Sequence, residues 1–150
     1  MLFHTHILAG MAFFFFLSDF FPIAKLWLFL GILLGSILPD IDERHSKINR
    51  WSGFVGLFIA FFAKHRGFFH SLPCFLGLTF LLHIFGYSAL GWGLLLGYAS
   101  HIILDGLTLQ GITPFWPLSS WKARGPVRVG SFAEHLFFLA LVIFVVVEVL

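Results

Sequence analysis

Gly97-Tyr98-Ala99-Ser100-His101-Ile102-Ile103-Leu104-Asp105-Gly106-Leu107-Thr108 is the stretch that decides how the chain is read. An otherwise apolar helix carries His101 and Asp105 four residues apart, so both project from one face. Neither side chain is comfortable in hydrocarbon on its own. An imidazole and a carboxylate one turn apart can grip a single metal ion. A His–Asp hydrogen bond that packs two helices would use the same spacing. The imidazoles and carboxylates elsewhere in the chain weigh against that plainer use.

The surroundings of this stretch set the class. Of 150 residues, 59% are hydrophobic, 22 are Phe and 11% are charged, and the mean hydropathy is +0.98. That excludes an ordinary soluble fold and predicts an all-α integral membrane protein, with residues 1–150 as one domain. Cys74 stands alone, which excludes an internal disulfide and a cysteine-based zinc site, and we read it as packing. A formal charge of +2 is too small to argue for a nucleic-acid partner. The start lacks the basic region and small-residue cleavage site of a secretory signal, so it is read as mature structure.

Working outward, residues 6–17 form a first short helix, broken by Asp19 and Pro22. Pro22 is placed to open a second helix reaching residue 38, at the lower edge of what spans a bilayer. Pro39 stops it, and 40–50 is the most polar stretch of the chain. Segment 51–63 is apolar but would cover only ~20 Å of a ~30 Å core. A span over 71–85, a turn at 86–88, the helix 89–107, a loop over 108–131 and a last span over 132–150 complete the chain. If 51–63 lies in the interface or re-enters, the N-terminus, 39–70 and 108–131 share one face. Arg44, Lys47, Arg50, Lys64, Arg66, Lys122, Arg124 and Arg128 then lie together, with only Lys25 opposite. The positive-inside rule makes that face cytoplasmic. Trp51, Trp116 and Trp121 fall at this interface, Trp27 and Trp92 at the other. The expected architecture is about five transmembrane helices plus one short interfacial or re-entrant helix, multi-pass in the cytoplasmic (inner) membrane. No feature of the chain speaks to oligomeric state.

That topology brings His6, Asp40, Asp42, His65, His70, His101, Asp105 and Glu134 to one depth. Mixed imidazole and carboxylate ligands suit zinc first, with manganese or iron as alternatives. The number of candidates exceeds one tetrahedral shell and points to two ions, which would activate a water, neutralise a phosphoryl group and steady a leaving oxygen. Asp40 and Asp42 at i, i+2 converge only off a helix, which Pro39 ensures. His65 and His70 around Gly67 fit a turn feeding a helix. Arg66 suits an anionic substrate, because a guanidinium fork matches phosphate oxygens, although a snorkelling anchor would use the same residue. Glu134 reads as a ligand or general base, or as a complement to the helix dipole. A flexible N-terminus could bring either His4 or His6 to the site, and His6 is the better candidate. His45 and His135 read as solvated interface residues, His83 as a packing histidine.

At these residues the chain resembles the YdjM-like family of membrane-bound, metal-dependent hydrolases. The resemblance is carried by Leu38-Pro39-Asp40-Ile41-Asp42, by His65-Arg66-Gly67-Phe68-Phe69-His70-Ser71-Leu72 and by Gly97-Tyr98 through His101 and Asp105 to Thr108. Gly111-Ile112-Thr113-Pro114-Phe115-Trp116-Pro117 and Glu134 also match, so nearly the whole chain is covered. The resemblance implies hydrolysis, and through a more distant similarity to zinc-dependent phospholipase C enzymes it implies a phosphoester of a membrane lipid or lipid-like substrate. Two other classes compete. A metal-ion transporter should hold its ligands near the midplane, whereas here they crowd one interface. A structural or regulatory membrane protein would use the His/Asp cluster only to tie helices together.

Overall fold

The computed structural model describes residues 1–62 and 66–150. Among these the chain is helical: α1 (Phe3–Leu17), α2 (Lys25–Ile37), α3 (Lys47–Trp51), α4 (Gly53–Phe62), α5 (Leu72–Ile84), α6 (Ser88–Gly106) and α7 (Phe132–Val149). Short 3-10 turns fill Ser18–Phe20, Leu38–Asp42 and Phe68–His70. The loop after α6 holds two isolated bridges, Thr108 with Val127 and Ile112 with Ala123.

Two local expectations need correction. Pro22 does not open α2, which begins at Lys25 after Ala24 as its N-cap; Lys25 Nζ instead reaches back 2.7 Å to Asp19 Oδ1 across the link. The first helix also starts earlier than expected, so His6 sits inside α1 and is fixed by it rather than carried on a flexible end.

The centre of the molecule is the crossing of α2 and α6. Gly31 and Gly35 on α2 face Gly93 and Gly97 on α6, each pair four residues apart. A Cβ on Gly97 would fall 2.8 Å from Ser36 N and nearer still to the Ile32 carbonyl; one on Gly35 would fall 2.8 Å from Tyr98 N. Only glycine lets the two backbones approach this closely, the device by which apolar helices associate where water supplies no drive. Around the crossing Phe75 of α5 stacks on Tyr98 at 3.8 Å, with Leu94 completing a buried cluster.

The polar stretch after α2 is built rather than loose. Pro39 sits in the 3-10 turn Leu38–Asp42 that continues directly from α2. Ser46 Oγ accepts from Asn49 N at 3.1 Å to cap α3, and donates to Asp40 O at 2.6 Å. Asn49, fully buried, donates through Nδ2 to the carbonyls of Ile41 and Gly56, each at 2.6 Å. The first turn of α4 is thereby tied to the Leu38–Asp42 turn, and beyond α4 the Arg66 amide returns to Asp42 Oδ2 at 3.2 Å. Among the described residues, the chain leaves this turn and comes back to it through α3, of five residues, and α4, of ten, the latter about 15 Å long.

The outer surface is apolar. Along α7 only Glu134 and Val145 are buried, while Phe132, Leu139, Ile143 and Val147 stand exposed. A helix apolar on all sides and covered on few is stable only in an apolar solvent.

The crossing gives a direct test. Gly97→Ala should destabilise the purified protein by about 1–3 kcal/mol through overpacking, read as a lower melting temperature in detergent. Gly77→Ala on α5, with nothing within 4 Å of its added methyl, should leave it unchanged or raised. Equal melting temperatures for wild type and Gly97→Ala would show that the helices are not held at this distance.

Candidate metal centre

The α2–α6 contact sets the first ligand. With Gly97 against Ser36, the Ser36 carbonyl accepts a hydrogen bond from His101 Nδ1 at 2.8 Å. A carbonyl only accepts, so Nδ1 carries the proton and Nε2 is left with its lone pair. His6 of α1 stacks on His101, centroids 3.8 Å apart, and its Nε2 lies 3.3 Å from Asp105 Oδ1. Asp105, one turn beyond His101, holds Oδ2 3.8 Å from His101 Nε2.

The two 3-10 turns bring the rest. Asp40 Oδ1 lies 3.6 Å from His70 Nε2 and 3.7 Å from His101 Nε2. His70 Nδ1 meets Asp42 Oδ2 at 3.2 Å. Two groups of donor atoms result, His6/Asp40/His101 and His70/His101/Asp105, with no two atoms in a group more than 4.8 Å apart. His101 Nε2 is buried and makes no hydrogen bond, a costly state for an imidazole acceptor unless a cation fills it, and both ring nitrogens of His6 are buried without a hydrogen-bond partner as well. Three imidazoles and two carboxylates without a thiolate fit zinc, and suit manganese or iron as well. Because Nδ1 of His101 is committed to Ser36, its single Nε2 lone pair serves one ion. A second ion would be held by the donors that remain, His6 or His70 with a carboxylate.

Charge follows the same lines. Burial works to raise the Asp40 carboxyl, but the neighbouring imidazoles outweigh it and hold the pKa well below the usual carboxylate range. Burial would depress His70, yet its hydrogen bonds to Asp40 and Asp42 lift it to about 9. A metal entering at neutral pH must therefore displace a proton from His70, so affinity should rise as pH climbs toward 9.

Asp105 also receives cations. Arg66 Nη2 lies 2.9 Å from its Oδ2, and the Met1 amino group contacts its Oδ1. Arg66 is locked on every side. Its φ is +61°, rare for a residue with a side chain. Its carbonyl accepts from Thr113 Oγ1 at 3.1 Å, and Nη1 donates to Gly111 O at 2.6 Å.

Of the residues expected at a site, the structure brings together His6, Asp40, His70, His101 and Asp105. Two take other places. Asp42 stands behind His70 and points its Oδ2 at Nδ1 and at the Arg66 amide, so it orients an imidazole, and among the described residues it belongs to neither donor group. Glu134 accepts from Leu2 N through Oε1 and from Gly130 N through Oε2, each at 2.6 Å. Each of its oxygens accepts from a backbone donor, which anchors the start of α1 to α7. His65 lies outside the described residues. Sequence reasoning missed Ser36, whose contribution is a carbonyl. It missed Asn49 too, and Thr108, whose buried Oγ1 donates to Asp105 O at 2.7 Å. The paired glycines of α2 and α6 are a signal that could have located the Ser36 contact.

The centre opens at Asp40 and Arg66 into a cavity of about 920 Å³, further lined by Lys47, Arg50, Lys122 and Arg124. The cations outnumber Asp40 and Glu43 on this wall, which makes the local potential positive.

An all-helical protein with an apolar exterior and a His/Asp centre at one end is thus defined. The chain belongs to the family described as YdjM inner membrane protein, whose model matches residues 1–149. It is 31% identical to the uncharacterized protein YvsG of Bacillus subtilis over 135 residues, 88% of this chain and 84% of that one. It is 35% identical over 122 residues to the inner membrane protein YdjM of Escherichia coli, covering 73% of this chain and 60% of its relative. The protein of that name from Shigella flexneri matches to the same extent. No solved structure matches.

The donor geometry makes a measurable demand. Detergent-purified protein should carry about one to two equivalents of zinc, manganese or iron, and His101→Ala or Asp105→Ala should lower that content in elemental analysis. Protein that stays metal-free after incubation with each ion would remove the site.

Proposed function

We propose that the chain is a metal-dependent hydrolase of the inner membrane that cleaves a phosphoester of a lipid-like substrate at the cytoplasmic face. One observation carries the reading: the buried Nε2 atoms of His6 and His101 sit beside Asp40 and Asp105, and Asp40 and Arg66 also line a cavity with Lys47, Arg50, Lys122 and Arg124 on its wall.

The membrane part rests on shape and surface. Phe3–Phe20 and Phe132–Val149 are long and apolar enough to cross. Adding α2, α5 and α6 makes five spans; α2 and α5 have 13 residues each, about 20 Å, and cross only with their flanking residues. Then α4, leaving and returning at one turn, is the helix that does not cross. Trp51 meets Phe3 near the centre, and Trp92 meets Phe21 at the far end of α1, as two interfacial belts would.

Divalent ions supply Lewis acidity and make water a usable nucleophile at neutral pH. The chain's own residues do the rest. Ser36 and Asp42 fix the rings of His101 and His70 through Nδ1, so that each Nε2 points inward. Asp40 belongs to both the donor cluster and the cavity wall, so it joins the donors to the space a substrate would fill. Water adds to phosphorus, the bond to the alcohol oxygen breaks, and the alcohol leaves with a proton. Arg66 and the rim cations balance the charge that grows on the phosphoryl oxygens. A transporter fits less well, because these ligands sit at one end of α6 and not at its middle.

Chelator-sensitive release of a phosphorylated product from anionic phospholipids is expected of the wild type. His70→Ala should abolish turnover and Asp42→Asn reduce it about 10–100-fold, both with unchanged melting behaviour of the apolar helices. Identical products from wild type and Asp105→Ala across phosphoester, acyl ester and amide lipids, read by mass spectrometry, would end the hydrolase reading.

Topology has its own check. In a Cys74→Ser background, cysteines placed at Ser46, at Arg66 and at Ser120 should all be labelled from the cytoplasm. Labelling of the Arg66 position only from outside would make α4 a crossing helix and split the centre between two faces.

A further inference from the structure

Positive charge is unevenly placed around the donor atoms. Asp105 Oδ2 lies 2.9 Å from Arg66 Nη2, while the Asp40 carboxylate is paired, among the described residues, only with imidazoles. His101 Nε2 belongs to both donor groups, and its one lone pair serves one ion. Once that ion is held by His6, Asp40 and His101, a second is left with His70 and Asp105, and Asp105 already carries a guanidinium. Arg66 cannot step aside by losing a proton, because its charge is fixed. Nor is it loose: Nη1 donates to Gly111 O at 2.6 Å, and backbone bonds to Asp42 and Thr113 hold the residue from both sides. An ion bonded to Oδ2 would stand no more than about 5 Å from Nη2 and meet its charge in a buried site.

We propose that Arg66 holds the place of a second metal ion: one ion binds tightly among His6, Asp40 and His101, and the guanidinium on Asp105 is the other cation of the centre. The assignment deepens the hydrolase reading and rests on it only for the phosphoryl group that the two charges would share; the number of ions stands apart from any reaction. In a two-ion centre the second ion neutralises a phosphoryl oxygen. A planar N–H fork can do the same. Arg66 keeps a donor for that purpose. Nη1 and Nη2 are committed to Gly111 and Asp105, whereas Nε is buried without a hydrogen-bond partner, and the residue lines the large cavity together with Asp40. An ion entering the second group must exchange Arg66 from Asp105, and is therefore the weaker of the two.

Zinc titration of the full-length protein in detergent against a competing chelator tests this. The wild type should hold one zinc tightly and a second at least about 100-fold more weakly. Arg66→Met removes the charge and leaves the backbone bonds to Asp42 and Thr113 available. It should raise the second affinity by about 100-fold, with the first zinc retained as the sign of a folded centre. Arg66→Lys, still cationic, should stay at one, and Asp40→Asn should lose the tight zinc. Paramagnetic resonance of the wild type with two equivalents of manganese gives an answer even if the variants do not fold: isolated ions are expected, not a spin-coupled pair. Two zinc ions held alike by the wild type, a coupled manganese pair in it, a folded Arg66→Met that still takes one ion, or protein that takes none would overturn the assignment. One tight ion in the wild type and two in Arg66→Met, with no phosphoester cleaved by either, would keep it and discard the hydrolase.

Discussion

The close approach of α2 to α6 is the constraint on which the rest of the molecule depends. Gly31, Gly35, Gly93 and Gly97 bring two backbones together, and the same contact sets the Ser36 carbonyl against His101 Nδ1. Packing and chemistry are one event here. Where the helices meet, the imidazole loses its choice of tautomer, and its Nε2 turns toward Asp40, His6 and Asp105. A larger residue at Gly97 would lengthen the bond to Ser36 as well as loosen the helix pair.

The second constraint is charge. A centre with a buried and a half-buried carboxylate and three buried imidazoles is expensive to desolvate. Around Asp105 it is balanced by Arg66 and the Met1 amino group, around His70 by Asp40 and Asp42. These are the interactions a metal would exchange, which makes folding, protonation and metal loading parts of one equilibrium. Arg66 links them to the cavity. Its backbone is held by Asp42 and Thr113, and its guanidinium by Asp105, Thr108 and Gly111. The positive φ that this geometry imposes is a strain of about 1–3 kcal/mol, of the sort that accumulates at functional sites.

Much of this was legible in the sequence, for definite reasons. Long apolar stretches and their Pro and Gly boundaries placed α5, α6 and α7 within a residue or so, because apolar length and helix breakers act locally. His101 and Asp105 were found because four-residue spacing on a helix guarantees a shared face. The roles of Asp42 and Glu134 were not legible. A carboxylate looks the same in sequence whether it holds an ion, orients a ring or accepts from backbone N–H groups. The polar stretch 40–50 read as a loop because its order comes from Asn49 reaching Ile41 and Gly56, contacts no periodicity reveals. Pro22 marks a boundary without being the first residue of the helix, which begins three residues on at Lys25.

X-ray absorption at the zinc edge of protein loaded with one equivalent of zinc addresses the centre most directly. The expected spectrum has nitrogen and oxygen ligands at about 2.0–2.1 Å, with the multiple-scattering signature of imidazole, which should weaken in His101→Ala. A sulfur shell at about 2.3 Å, which only Cys74 or a methionine could supply, or a shell without imidazole, would contradict a His/Asp centre assembled by the α2–α6 contact.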